Sequence, residues 1–304
     1  MGPCGIGNAL YIPIFIIVNE MKIMKNIFIL ICIIISSHCF SQINTFYVKP
    51  IDKDKNYEAV QDSHLIVKNN ALNLNKLFLF IGGTNSRTKD YFRICEFAGD
   101  LSYDVINVSY PNNVAASSLN NSPDEFAFDN YRREICYGND VSTDVSIEFI
   151  NSIQVRTLKL IKYLDDEYPS DNWGQYLNGN GLPDWPKIAV GGHSQGAGHA
   201  CYFGKKEFPE RVLMFSGPND YSNFFSEPVG WLKIPGITPP NKHYAYLSLL
   251  DEVIDFNKQL SNMDGLGLYP LYDTLLVDSS MIPFENTRCL YTQQAPGLAI
   301  LHHN

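Results

Sequence analysis

Lys187-Ile188-Ala189-Val190-Gly191-Gly192-His193-Ser194-Gln195-Gly196-Ala197-Gly198-His199-Ala200 is the stretch that decides the fold. A short apolar run ends in Gly192-x-Ser194-x-Gly196, and a helix-like stretch containing Ala200, Cys201 and Phe203 follows. Strand, tight turn and helix form the context in which a serine is lifted clear of a sheet. Glycine at 192 and 196 lets the turn lie against its neighbours, where a side chain would collide. The start of the following helix would present backbone N–H groups and a positive dipole end to a developing oxyanion. The glycines do not fit a dinucleotide-binding fingerprint, and no Gly-Lys-Ser/Thr phosphate loop is present.

Short apolar runs recur outward from this segment. Leu65 to Val67, Leu77 to Ile81, Val105 to Val108, Ile188 to Val190, Val212 to Phe215 and Tyr244 to Leu250 read as strands. Several are continuous rather than alternating, as expected for strands covered on both faces. Ile147, Ile150, Ile153, Leu160, Ile161 and Leu164 form a helical stripe, with Ser142, Thr143 and Ser146 as candidate caps. Strand alternating with helix predicts an α/β fold around a mainly parallel sheet. Residues 111–141 and 218–241 read as long loops leaving strand ends, where pockets are built. Their aromatic residues, Tyr110, Phe126, Phe128, Tyr221, Phe224, Phe225 and Trp231, point to an apolar acyl or aryl group. Residues 168–185 precede a strand and are expected to be structural.

The whole chain sets the outer bounds. Its 304 residues are 45% hydrophobic and 18% charged, ordinary for a globular protein. The net charge of −9, with no basic run, argues against a nucleic-acid partner. Lys22 and Lys25 precede the apolar run Ile27 to Ile35, and Cys39-Phe40-Ser41 follows it, the pattern of a secretory leader cut after Ser41. Residues 1–20 read as an extension upstream of the starts Met21 and Met24. Residues 1–41 are therefore extension plus leader, and 42–304 a single domain, secreted or periplasmic, with no stable membrane insertion once the leader is removed. Cys95, Cys136, Cys201 and Cys289 remain, with Cys95–Cys136 the expected disulfide and small buried residues the equally weighted alternative.

Gly192-His-Ser-Gln-Gly196 after a hydrophobic strand resembles the α/β-hydrolase superfamily, specifically its esterase- and lipase-like members. The chain is also similar to a group of secreted bacterial hydrolases through Trp173-Gly-Gln175, the serine motif and Phe215-Ser-Gly-Pro218. The resemblance implies an eight-stranded, mostly parallel sheet with helices on both faces, and a nucleophile, acid, histidine order along the chain. It makes Ser194 the nucleophile and the N–H of Gln195 one oxyanion donor. Gly83 or Thr84, in Gly82-Gly83-Thr84 after a strand, would supply the second. Asp251, just past Tyr244–Leu250, is favoured as the acid over Asp220. His303 is the expected base, with His302 second, and the chain reads as cut short soon after it. The implied activity is ester hydrolysis on a small or polymeric substrate without metal or organic cofactor. A secreted binding protein on the same fold is the alternative.

Overall fold

The computed structural model describes residues 43–53, 62–70, 74–269, 273–279 and 287–294. The expected leader and its cleavage point lie outside them, as do His302 and His303.

In chain order, the strands and longer helices are β1 (Ile43–Val48), β2 (His64–Asn69), β3 (Leu77–Ile81), α1 (Phe92–Asp100), β4 (Asp104–Val108), α2 (Ala127–Tyr137) and α3 (Ile153–Glu167). They continue as β5 (Ile188–His193), α4 (Gln195–Lys206), β6 (Arg211–Phe215), β7 (His243–Ser248), α5 (Phe256–Gly265), β8 (Thr274–Leu276) and β9 (Cys289–Thr292). Among the described residues they form one nine-stranded sheet in the order β1-β2-β4-β3-β5-β6-β7-β9-β8. Only the β1–β2 and β2–β4 pairings are antiparallel. The remaining pairings, from β4 to β8, are parallel. All six strands expected from the sequence are present, and β1, β8 and β9 extend the sheet at its edges.

The alternation within β3 shows how the sheet divides the core. Leu77, Leu79 and Ile81 join the larger apolar cluster, with residues of α2, α3 and α4. Phe78 and Phe80 face the smaller cluster with Leu65, Val67, Val105 and Ala189, against Cys95 and Ala98 of α1. Every residue of β3 is buried, so its unbroken apolar run satisfies two faces at once.

Three sequence expectations are corrected. The helix built on the 147–164 stripe starts only at Ile153, capped by Ser152, whose hydroxyl accepts from the Val155 N–H at 3.4 Å. Ser142 instead closes a local turn, accepting from the Asp144 N–H at 3.1 Å. The polar excursion 111–141 is not all loop. It contains α2, which buries Phe128, Tyr131, Arg132, Ile135 and Cys136 and ends at Gly138 with φ 70°. Cys95 and Cys136 form no disulfide: all four described cysteines are free and buried, and these two sit in different apolar clusters. The 168–185 segment does pack as structure, with Trp173 and Tyr176 fully buried and the Tyr176 hydroxyl donating to Asp104 at 2.6 Å.

Candidate active site

Ser194 stands between β5 and α4 with φ 54° and ψ −118°, a conformation that L-residues rarely adopt. Its N–H donates to the Phe215 carbonyl at 2.8 Å, tying the turn to β6. A Cβ on Gly192 would run into the carbonyl of Gly196, and one on Gly196 into that of Ile81. Both glycines are therefore required by close approach. The strand order, with β2 reversed, already places this turn at the carboxyl edge of a parallel sheet, and the strained serine completes the pattern. The chain has the α/β-hydrolase fold.

The serine is half-buried and borders a cleft of about 270 Å³. Gly83, Thr84, Tyr91, Ala116, Asn120, Arg132, His193, Gln195 and Asn219 border it too, so the segments after β3 and β4 meet the serine turn there. The two expected oxyanion residues after β3 differ. The Gly83 N–H is engaged, donating to the Tyr91 hydroxyl at 2.9 Å. Among the described residues no acceptor takes the Thr84 N–H. The Thr84 hydroxyl donates to Gln195 Oε1 at 2.7 Å, and the Ala116 N–H reaches the same oxygen at 3.3 Å. Gln195, which is buried, thus holds the loops after β3 and β4 to the start of α4. The Asn112 amide donates to the Gly83 carbonyl at 2.8 Å, and the Tyr110 hydroxyl to that of Gly82 at 2.7 Å. Those supports leave little freedom to the backbone that faces the cleft.

The two candidate acids have different surroundings. Asp251 lies just past β7, and its Oδ1 accepts from the N–H groups of Val253 (2.9 Å) and Ile254 (3.1 Å). Its Oδ2 accepts from the Gln259 amide of α5 at 3.1 Å. Asp220 is fully buried and forked by Arg132, with Nε at 3.0 Å from Oδ2 and Nη2 on Oδ1; Trp231 Nε1 adds a third donor at 3.1 Å. Burial works against the Arg132 charge, and the Asp220 carboxylate outweighs it, raising Arg132 above the usual guanidinium range. Arg132 Nη1 also donates to the Gln195 carbonyl at 2.8 Å, beneath the first turn of α4. Asp220 is thus the counter-ion of a buried arginine that braces the start of α4.

His303 and His302 lie outside the described residues. Burial, with Arg132 alongside, holds His199 well below its usual range and so favours its neutral form. His193, next to the serine, has its Nδ1 3.0 Å from the Tyr91 hydroxyl. Sequence reasoning missed Arg132, Tyr91 and Gln259. For Gln259 a signal existed: it lies on the buried face of α5 with Asn262 and Met263.

Neither a family model nor a curated protein matches the sequence. Among solved structures, the chain is similar to an S-formylglutathione hydrolase from Staphylococcus aureus at a TM-score of 0.43 and 12% identity, over 84% of this chain and 90% of that one. It is also similar to an esterase from Pyrococcus furiosus at 0.39 and 14%, over 84% of each chain. These are faint likenesses, and the fold assignment rests on strand order and the Ser194 turn.

Proposed function

We propose that the chain is a serine hydrolase that cleaves an ester-type bond through an acyl-enzyme. The observation that carries this reading is the Ser194 turn, strained at φ 54° and ψ −118° between a buried strand and a helix start, at the border of a cleft. Backbone strain of this kind costs about 1–3 kcal/mol and persists where function requires the geometry.

In this mechanism His303, or His302 in its place, takes the proton from Ser194 as the serine oxygen attacks the ester carbonyl. Asp251 orients the imidazole and stabilises its charged form. The N–H groups of Gln195 and Thr84 hold the oxyanion, helped by the positive end of α4. The protonated histidine then gives its proton to the departing alcohol, and a water releases the acyl group by the same steps in reverse. Export fits the leader-like start, with Gln42 as the mature N-terminus; N-terminal sequencing of the exported form tests that point.

Ser194→Ala is the direct test of the reaction. It should lower hydrolysis of p-nitrophenyl esters by about 10⁴-fold or more without changing the melting temperature appreciably. Activity within tenfold of the parent would remove Ser194 from the mechanism.

A further inference from the structure

None of the aromatic residues that the sequence assigns to an acyl or aryl site borders the serine cleft. Phe126, Phe128, Phe225 and Trp231 line a different pocket, whose wall shares no residue with the cleft. The cleft has a polar wall instead. Its aliphatic groups, among the described residues, are Ala115, Ala116, Val253 and Ile254. No Asp, Glu or Lys of the described residues borders it, and Arg132 is fully buried and forked by Asp220. The groups that face a substrate there are therefore mostly neutral and able to hydrogen-bond.

Two side-chain amides on that wall have hydrogen-bonding capacity to spare. Asn120 lies in the segment after β4, and among the described residues no donor reaches its Oδ1, which is shielded from solvent. An acceptor left in that state costs about 1–3 kcal/mol, which a partner would recover. Asn219 lies in the segment after β6. Its Oδ1 accepts from the Gln259 amide at 3.4 Å, and the same Gln259 nitrogen donates to Asp251 Oδ2 at 3.1 Å. With its oxygen turned to Gln259, Asn219 has its amide hydrogens left to offer. The two segments are joined, since the Asn120 carbonyl accepts from the Asn223 N–H at 2.7 Å. An unpaired acceptor and an oriented donor on joined segments suit a hydroxyl group, which both donates and accepts.

We propose that the serine cleft selects short esters bearing uncharged hydroxyl groups, with the Asn120 and Asn219 carboxamides as the groups that bind them, an inference that rests on the hydrolase reading above. On binding, the Asn120 carboxamide turns its unpaired oxygen to a substrate hydroxyl, and the Asn219 amide donates to a hydroxyl oxygen. The cleft volume of about 270 Å³ lies at the small end of ligand pockets, which suits a short ester. The hydroxyl groups can belong to the acyl or the alcohol arm, and two pairs of substrates separate these sources.

The test compares kcat/KM within matched pairs. Glyceryl monoacetate against propyl acetate probes the alcohol arm, and ethyl 3-hydroxybutyrate against ethyl butyrate probes the acyl arm. In at least one pair the hydroxylated ester should react about tenfold faster or more, because its plain partner leaves the carboxamides unpaired. The pair that shows this preference identifies the arm. Asn120→Leu and Asn219→Leu replace each carboxamide by an aliphatic group of similar size, and each should lower that ratio by about threefold or more. The ratio is taken within one protein, so a smaller folded fraction in a variant cancels from it. Ratios near one in both pairs, a preference for the plain esters, or a preference that both variants leave intact would overturn the proposal. Labelling of Ser194 by a fluorophosphonate separates the failures. A labelled enzyme without the preference defeats the hydroxyl selection alone, whereas an unlabelled, inactive one defeats the hydrolase reading and the selection with it.

Discussion

Neutral donors hold both oxygens of the Asp251 carboxylate and orient it, whereas a buried guanidinium forks Asp220. Asp251→Asn should therefore lower kcat about 10⁴-fold by removing the group that sets the imidazole's tautomer, with stability little changed. Asp220→Asn should show the opposite balance. It leaves Arg132 charged and buried, so it should cost about 3–5 kcal/mol in denaturant unfolding, and the molecules that remain folded should retain far more turnover than Asp251→Asn. The reverse ranking would make Asp220 the acid. The sequence favours Asp251 only by its motif context, because the residue that separates the two, Arg132, lies 88 positions from Asp220. Thr84→Val keeps the N–H proposed for the oxyanion but removes the hydroxyl that donates to Gln195. It should lower kcat about tenfold with KM nearly unchanged, since a loosened donor is felt mostly in the transition state. An unchanged kcat would show that the loop needs no such tether.

At the scale of elements, the turn at Ser194 was legible because its constraints are local: a strand, the start of a helix and two glycines all fall within residues 188–196. Gly192→Ala should destabilise the fold by about 3 kcal/mol or more, because its methyl would meet backbone rather than a yielding side chain. A melting temperature equal to the parent's would contradict that packing. The central strands were legible for a related reason, since burial on both faces demands unbroken apolar runs. The edge strand β1, Ile43–Val48, is mostly half-buried or exposed and carries no such signature. Helix α2 was hidden because its inward face includes Arg132 and Glu134, charged residues that read as solvated. Glu134 in fact accepts three backbone N–H groups, from Val141, Ser142 and Ile147. Buried charge satisfied by distant partners cannot be told from surface charge in one sequence.

Across the whole molecule, stability should depend on pH through two histidines outside the proposed triad. Burial lowers His243 from 6.5 to about 4 and His199 well below 6.5. The unfolded chain would bind protons at both near pH ~6.5, so this stability is present above that pH and is lost as the pH falls toward 4. The loss should approach about 1.4 kcal/mol per pH unit for each histidine, measured by urea unfolding between pH 7.5 and 4.5. A flat profile between pH 6.5 and 5 would contradict their burial as neutral groups. A reducing agent should leave the melting temperature unchanged, because the four described cysteines are free, with the thiols of Cys95, Cys201 and Cys289 pushed up to about 12 by burial. The measurement closest to the central claim is mass spectrometry of the protein after treatment with a fluorophosphonate. The account predicts a single covalent adduct on the peptide containing Ser194, absent in Ser194→Ala; no adduct, or one on another residue, would contradict it.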